Sequence, residues 1–102
     1  MARAWIVRHA NRVVGYVVLT LGYSIKYGGR DGFIDDLCLI PEVRGKGLGR
    51  KLLYFALSQA AQLGIGTLHL EVENSNEKAT CLYRSVGFEA TGRSLMRVRI
   101  RH

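Results

Sequence analysis

The fold of this 102-residue chain is decided by the stretch Leu37-Cys38-Leu39-Ile40-Pro41-Glu42-Val43-Arg44-Gly45-Lys46-Gly47-Leu48-Gly49. Its apolar start closes a predicted strand over residues 33–40, which Pro41 terminates. Its end opens the clearest predicted helix, residues 48–63, where apolar side chains recur every three or four positions and Gly64 follows as a cap. The glycines between strand and helix allow a sharp turn and a close approach to the backbone amides. Because the free N–H groups of a helix N-terminus suit a phosphate, the stretch predicts an anion-binding turn.

Strand and helix patterns extend on both sides of this stretch. Residues 5–7 and 13–19 are rich in β-branched and aromatic side chains and predict two strands joined by a tight turn. Residues 67–72 alternate strictly and predict a strand, and a second helix follows, with N-caps offered at 74–76 and Gly87 at its end. Residues 88–91 and 95–100 predict a final pair of strands. The order β-β-β-α-β-α-β-β predicts one α/β domain over residues 1–102, with two helices on a mixed, mostly antiparallel sheet of about six strands.

Composition excludes several classes of protein. Apolar residues make up 48% of the chain, which is enough for a core, and the formal net charge of +7 suggests an anionic partner. The strongly apolar uncharged run at residues 13–25 is too short to span a membrane. The three histidines and two cysteines are scattered without metal-ligand spacing, so no metal site is predicted. Two cysteines do not make a disulfide scaffold, and the expected location is the cytoplasm.

The two common phosphate-binding fingerprints do not fit the glycine-rich turn. A P-loop requires a glycine five positions after the first, and that position is Arg50. The dinucleotide fingerprint also fails, because Gly45 and Gly47 lead to Arg50, while Gly47 and Gly49 lead to Leu52. The turn therefore either binds a phosphate ligand of another kind or is a glycine-rich connection that binds no ligand.

The deciding stretch resembles the signature of the GNAT superfamily of N-acetyltransferases. Its Arg44, Gly47 and Gly49 match the family's acetyl-CoA motif, Gln/Arg-x-x-Gly-x-Gly/Ala. Residues 76–88 are similar to the family's second motif, N-x-x-A-x-x-L-Y-x-x-x-G-F, and the resemblance covers about residues 4–101. It implies transfer of an acetyl group from acetyl-CoA to an amine without a metal.

The resemblance also implies where acetyl-CoA is held. The pyrophosphate would lie on the turn formed by Arg44, Gly45, Lys46, Gly47, Leu48, Gly49 and Arg50. The backbone of Leu37, Cys38 and Leu39 would pair with the pantetheine arm as an added strand does, in an opening between this strand and the next. Asn76 matches the residue that contacts the arm.

Catalytic roles follow from the same resemblance. Tyr83 matches the general acid that donates to the departing thiolate, although a core position on a helix face is the alternative. Asp35 matches the acidic residue that lies ahead of the pantetheine strand in the diamine acetyltransferase branch, and it would act as base directly or through water. Because adjacent strand residues face opposite sides, we expect at most one of Asp35 and Asp36 to point into the site. Glu71 is the competing base, and solvated carboxylates are the alternative for all three.

The match implies a short form of the family that begins near the second strand and lacks the usual first strand and two helices. Uncovered apolar surface would then favour a homodimer. The predicted function is acetylation of a primary amine on a small molecule. One alternative is a protein or peptide acceptor, and the other is a catalytically weak module that binds coenzyme A or nucleic acid. The stripe of Arg97, Arg99 and Arg101 suggests nucleic acid, but no aromatic residues interleave with it, so we expect no nucleic acid partner. No membrane partner is expected either, because no run is suited to spanning a membrane.

Overall fold

The computed structural model describes residues 1–24, 29–45 and 47–100, and it contains a four-stranded sheet and two α-helices. The strands are β1 Ala2–His9, β2 Arg12–Ser24, β3 Gly29–Leu39 and β4 Thr67–His69, and the helices are α1 Leu48–Gln62 and α2 Glu77–Val86. A short 3₁₀ turn, Pro41–Val43, separates β3 from the glycine-rich turn. None of the described helices has the length and apolar character needed to cross a membrane.

The sheet is mixed, as the sequence predicts. Its order is β1-β2-β3-β4, with antiparallel pairing in the first two interfaces and parallel pairing between β3 and β4. The turn between β1 and β2 is formed by Ala10 and Asn11, which have φ angles of 51° and 63°. Positive φ at both positions matches the twist of a tight hairpin. The three antiparallel strands therefore form a meander, and α1 makes the crossover to β4.

The core lies between α1 and one face of the sheet. Val17 and Leu19 of β2 and Leu53 and Ala56 of α1 are fully buried there. Leu82 of α2 packs at the edge of this core, so α2 lies against α1 on the same side of the sheet. The predicted helices are confirmed, and so is the role of Pro41 at the end of β3.

The prediction of about six strands is wrong in its count. Residues 88–91 and 95–100 are not strands, and β4 ends at His69 rather than at residue 72. An alternating sequence forms a strand only where a partner edge is available to pair with it. The neighbouring stretch 70–73 provides no such edge, because it is not in a strand itself. Residues 89–100 are exposed on both alternating faces, so burial does not stabilise a strand there. Arg101, the last arginine of the predicted stripe, lies outside the described residues.

Candidate functional site

The sheet opens between β3 and the chain after β4. Parallel pairing joins only Asp31, Gly32 and Phe33 to residues 67–69, whereas β3 continues along β2 to Leu39. Beyond Phe33, the β4-facing edge of β3 has no strand partner among the described residues. An extended ligand can pair with such an edge through its amide groups. The opening runs beside Leu37, Cys38 and Leu39, where the sequence predicts the pantetheine arm.

The glycine-rich turn at the head of α1 leaves space for an anion. Gly45 and Gly47 both have a φ of 78°, and a Cβ built on either one would meet no atom within 4 Å among the described residues beyond its chain neighbours. Gly47 caps α1 without a side-chain hydrogen bond, so the amides of the first helical turn face the open space. Arg50 and Lys51 are exposed next to them. These residues fit a pyrophosphate, and the predicted contribution of Lys46 lies outside the described residues.

Arg44 links the turn to the end of β3. Its Nε donates a hydrogen bond of 2.9 Å to the carbonyl oxygen of Leu39. The guanidinium also carries two further nitrogens with donors, which the bond to Leu39 leaves for an anion. Arg44 therefore fixes the strand that borders the opening, a contact that the sequence motif does not reveal.

Gly49 lies where the two helices meet. A Cβ at this position would come 3.3 Å from Cδ2 of Leu82, which is a close contact. The glycine therefore lets α2 pack near the head of α1, while Leu48 next to it packs at the core. The packing brings α2, which carries Tyr83, close to the glycine-rich turn.

Asn76 is the N-cap of α2. Its Oδ1 accepts a hydrogen bond of 3.1 Å from the amide of Ala79, and its carbonyl oxygen accepts one of 2.9 Å from Oγ1 of Thr80. The cap uses only the oxygen of the side-chain amide. The Nδ2 group makes no hydrogen bond with any residue that the structure describes.

Tyr83 and Glu71 line one cavity of about 1230 Å³, which lies between the chain after β4 and α2 with the segment that follows it. Tyr83 is half-buried, its ring meets the edge of Phe88 at a centroid distance of 6.0 Å, and burial raises the pKa of its phenol above 10.0. The phenol is therefore protonated at neutral pH and can donate a proton. Asp35 is not among the described residues that line this cavity.

Asp35 lies in a β-bulge of β3. Pairing with β2 passes from Val18 opposite Asp36 to Leu19 opposite Ile34, so Asp35 has no partner. Core positions lie on either side of the bulge, and both aspartates between them are exposed. A bulge interrupts the regular alternation of faces, and the expectation that at most one of the two aspartates points into the site stays a prediction.

Tyr16 was not identified from the sequence as a site residue. Its hydroxyl donates a hydrogen bond of 2.9 Å to Oδ2 of Asp36, and its backbone partner on β3 is Cys38. The tyrosine was not recognised because its pattern is that of an ordinary strand residue. Only the register of β2 against β3 brings it to the aspartates.

Comparison with known proteins places this arrangement in a family. Residues 2–88 match the model of the acetyltransferase (GNAT) family. The chain is 35% identical over 75 residues to a thialysine N-epsilon-acetyltransferase of Bos taurus, which covers 74% of this chain and 44% of that protein. It is 44% identical over 61 residues to a peptidyl-lysine N-acetyltransferase of Escherichia coli K12, which covers 60% of this chain and 38% of that protein.

A solved structure gives the same result for the fold. An integron cassette protein from the mobile metagenome of Cole Harbour Salt Marsh superposes with a TM-score of 0.85 at 37% identity, over 99% of this chain and 61% of that one. The chain spans less than two thirds of the length of each of these relatives. Because the family model matches most of its residues, the chain belongs to the GNAT family of acetyltransferases.

Proposed function

We propose that the protein transfers an acetyl group from acetyl-CoA to a primary amine of a small molecule. The observation that carries the proposal is the unpaired edge of β3 beside the open, uncapped glycine turn at the head of α1. The turn provides amides and positive charge for a pyrophosphate, and the edge provides backbone groups for an amide-bearing arm. The two features adjoin in the order in which a coenzyme A molecule presents its pyrophosphate and its pantetheine arm.

The residues of the chain supply the proton transfers. Asp35, directly or through a water molecule, accepts the proton that the acceptor ammonium must lose before its nitrogen attacks the thioester carbonyl. Tyr83 donates a proton to the sulfur as the carbon–sulfur bond breaks, which gives the amide and free coenzyme A. Glu71 is the competing base, because it lines the same cavity as Tyr83.

A peptide acceptor is the second candidate. The bovine relative is named for thialysine and the E. coli relative for peptidyl-lysine, so similarity alone supports both acceptor classes. Asp35 and Asp36 are both exposed on β3, and their negative charges favour a cationic acceptor of either kind.

We also propose that the protein is a homodimer in the cytoplasm. The support for a dimer is the exposed apolar segment near the C-terminus, in which Leu95, Met96, Val98 and Ile100 are 68–90% exposed. Apolar surface of this kind favours association with a second copy.

The experiment is isothermal titration of the protein with acetyl-CoA. We expect micromolar binding by the wild type and affinity at least about tenfold weaker for Gly47→Glu, which adds bulk and negative charge to the turn. Gly64→Glu is the matched control, because Gly64 has a φ of 77° and lies beyond the other end of α1. Equal loss in both variants, or no binding by the wild type, would contradict the proposed site.

Turnover is measured next, by release of free coenzyme A thiol over a panel of small amines and lysine peptides. Reaction with small amines supports the first candidate, and reaction with peptides alone supports the second. Salt-sensitive binding to arbitrary DNA that coenzyme A does not compete would favour the nucleic-acid alternative instead.

A further inference from the structure

The two aspartates at the bulge differ in their contacts. Asp36 accepts the hydrogen bond of 2.9 Å from the hydroxyl of Tyr16, whereas Asp35 makes no hydrogen bond or ion pair with any residue that the structure describes. Both aspartates are exposed. One carboxylate is therefore held in place from the neighbouring strand, and the other is free to turn.

The hydrogen bond between Tyr16 and Asp36 lies next to residues 37–39, the segment of β3 that is proposed to pair with the pantetheine arm. Tyr16 is the backbone partner of Cys38, the middle residue of that segment, and Asp36 immediately precedes the segment in sequence. On β3 the titratable groups that face Tyr16 are Asp36 and Cys38, and on β1 its backbone partner is the uncharged Ile6. The hydrogen bond to Asp36 is the largest cause that raises the pKa of Tyr16 above 10.0, followed by the charge of Asp36, burial and Cys38. The phenol therefore remains a donor to the carboxylate at neutral pH.

A carboxylate that accepts a phenol hydrogen bond is fixed in direction, because the bond holds one of its oxygens. Its other oxygen offers an acceptor in a defined position to an ammonium group. A carboxylate without that bond is free to turn towards the ammonium or towards a bridging water.

We propose that Tyr16 is a positioning residue that holds Asp36 as the binding group for the acceptor's ammonium and leaves Asp35 to accept the proton. This inference rests on the proposed acetyltransferase function. It assigns different roles to two adjacent carboxylates, and it adds to the site a residue of β2 that touches neither the turn nor the cavity beside Tyr83.

The kinetic test uses single and double variants with the amine that the wild type acetylates. We expect Tyr16→Phe and Asp36→Asn each to raise the KM for the amine about tenfold, with kcat and the Kd for acetyl-CoA nearly unchanged. The double variant should be no worse than Asp36→Asn alone, because the phenol acts through that carboxylate. Asp35→Asn should instead lower kcat by about 10²-fold with little change in the KM.

The control for removing a phenol hydroxyl is Tyr54→Phe. Tyr54 is 50% exposed on α1, and its variant should keep wild-type kinetics. A KM effect of Tyr16→Phe that Tyr54→Phe also shows would contradict a specific role for Tyr16.

A spectroscopic test does not depend on turnover. Carbon-13 labelling of the tyrosine rings allows the pKa of Tyr16 to be followed by NMR, and we expect it above 10.0 in the wild type. Asp36→Asn should lower it, and Asp35→Asn should leave it unchanged. A Tyr16 pKa that does not respond to Asp36→Asn would overturn the inference whether or not the protein is active.

Kinetic results can also overturn it. Additive effects of Tyr16→Phe and Asp36→Asn would show that Tyr16 does not act through Asp36. A loss of kcat in Asp36→Asn with none in Asp35→Asn would reverse the roles assigned to the two aspartates. Failure of the wild type to acetylate any amine would count against the proposed function, and the NMR titration would then decide separately whether Tyr16 holds Asp36.

Discussion

Asn76 caps α2 through its side-chain oxygen, and its amide nitrogen is proposed to donate to acetyl-CoA. We expect Asn76→Asp to keep the stability of the protein, since aspartate is an equally good N-cap. The same variant should weaken acetyl-CoA binding about tenfold, because it replaces a donor by a negative charge. Asn76→Ala is the comparison and should lose about 1 kcal/mol of stability as well.

Thermal unfolding and acetyl-CoA titration, run on both variants, separate the two functions. If Asn76→Asp binds acetyl-CoA as tightly as the wild type, Asn76 is a helix cap without a role in binding.

Tyr83 gives a prediction about rate and pH. Tyr83→Phe should lower kcat by about 10²-fold or more while the Kd for acetyl-CoA stays the same, because only the proton donor is removed. Burial raises the pKa of this phenol above 10.0, so Tyr83 stays protonated as the pH rises from 7 towards 10. Below about pH 10, any decline of kcat with rising pH in the wild type should therefore also appear in Tyr83→Phe.

A pH–rate profile of both proteins checks this expectation. A decline in the wild type centred well below pH 10, absent from Tyr83→Phe, would show that the phenol ionises earlier than its burial implies.

At some single residues, the local sequence does not predict the structural contacts. The turn residues and Asn76 were identified because motif and capping signals are local. The bulge at Asp35 could not be predicted from local sequence, because it depends on the pairing of β3 with β2. Tyr16 was missed for the same reason, since its contact with Asp36 exists only once the strands are in register.

At the scale of elements, the contact between β2 and β3 depends on a glycine. A Cβ on Gly15 would lie 2.2 Å from the carbonyl oxygen of Cys38 and 2.7 Å from Cδ2 of Leu39. Because neither strand has room for it, Gly15→Ala should lower the free energy of unfolding by about 3 kcal/mol. It should also weaken acetyl-CoA binding, since it displaces the strand proposed to pair with the pantetheine arm.

The control is Gly22→Ala on the same strand, where the added Cβ would meet only Oδ1 of Asp31, at 3.4 Å. Urea unfolding should show a change within about 1 kcal/mol for this variant. Similar destabilisation by both substitutions would contradict the close approach at Gly15.

The elements were predicted with unequal success for a physical reason. The periodicity and ends of α1 and α2 follow from local sequence, and both were predicted correctly. Residues 95–100 have an equally clear alternation, yet they form no strand because pairing needs an edge from a distant segment. β4 is shorter than predicted for the same reason, because its pairing stops where β3 and the chain after β4 separate.

At the scale of the whole molecule, the exposed apolar segment predicts association. Light scattering after size exclusion should give a mass near twice 11.4 kDa at micromolar concentration. Replacing Met96 and Val98 by aspartate should shift the protein towards a monomer, because both side chains are at least 80% exposed in the single chain. Arg97→Gln, between them, should leave the dimer intact. A wild-type mass near 11.4 kDa would contradict the homodimer.

The unpaired edge of β3 also has a consequence for hydrogen exchange. Amides of β3 that face β2 are bonded across the meander, so their exchange with deuterated water requires the sheet to open. Amides of the same strand that face the opening have no strand partner among the residues that the structure describes, so we expect them to exchange through local exposure alone. We therefore expect slow and fast amides within one strand, and a ligand that pairs with the open edge would slow only the fast ones.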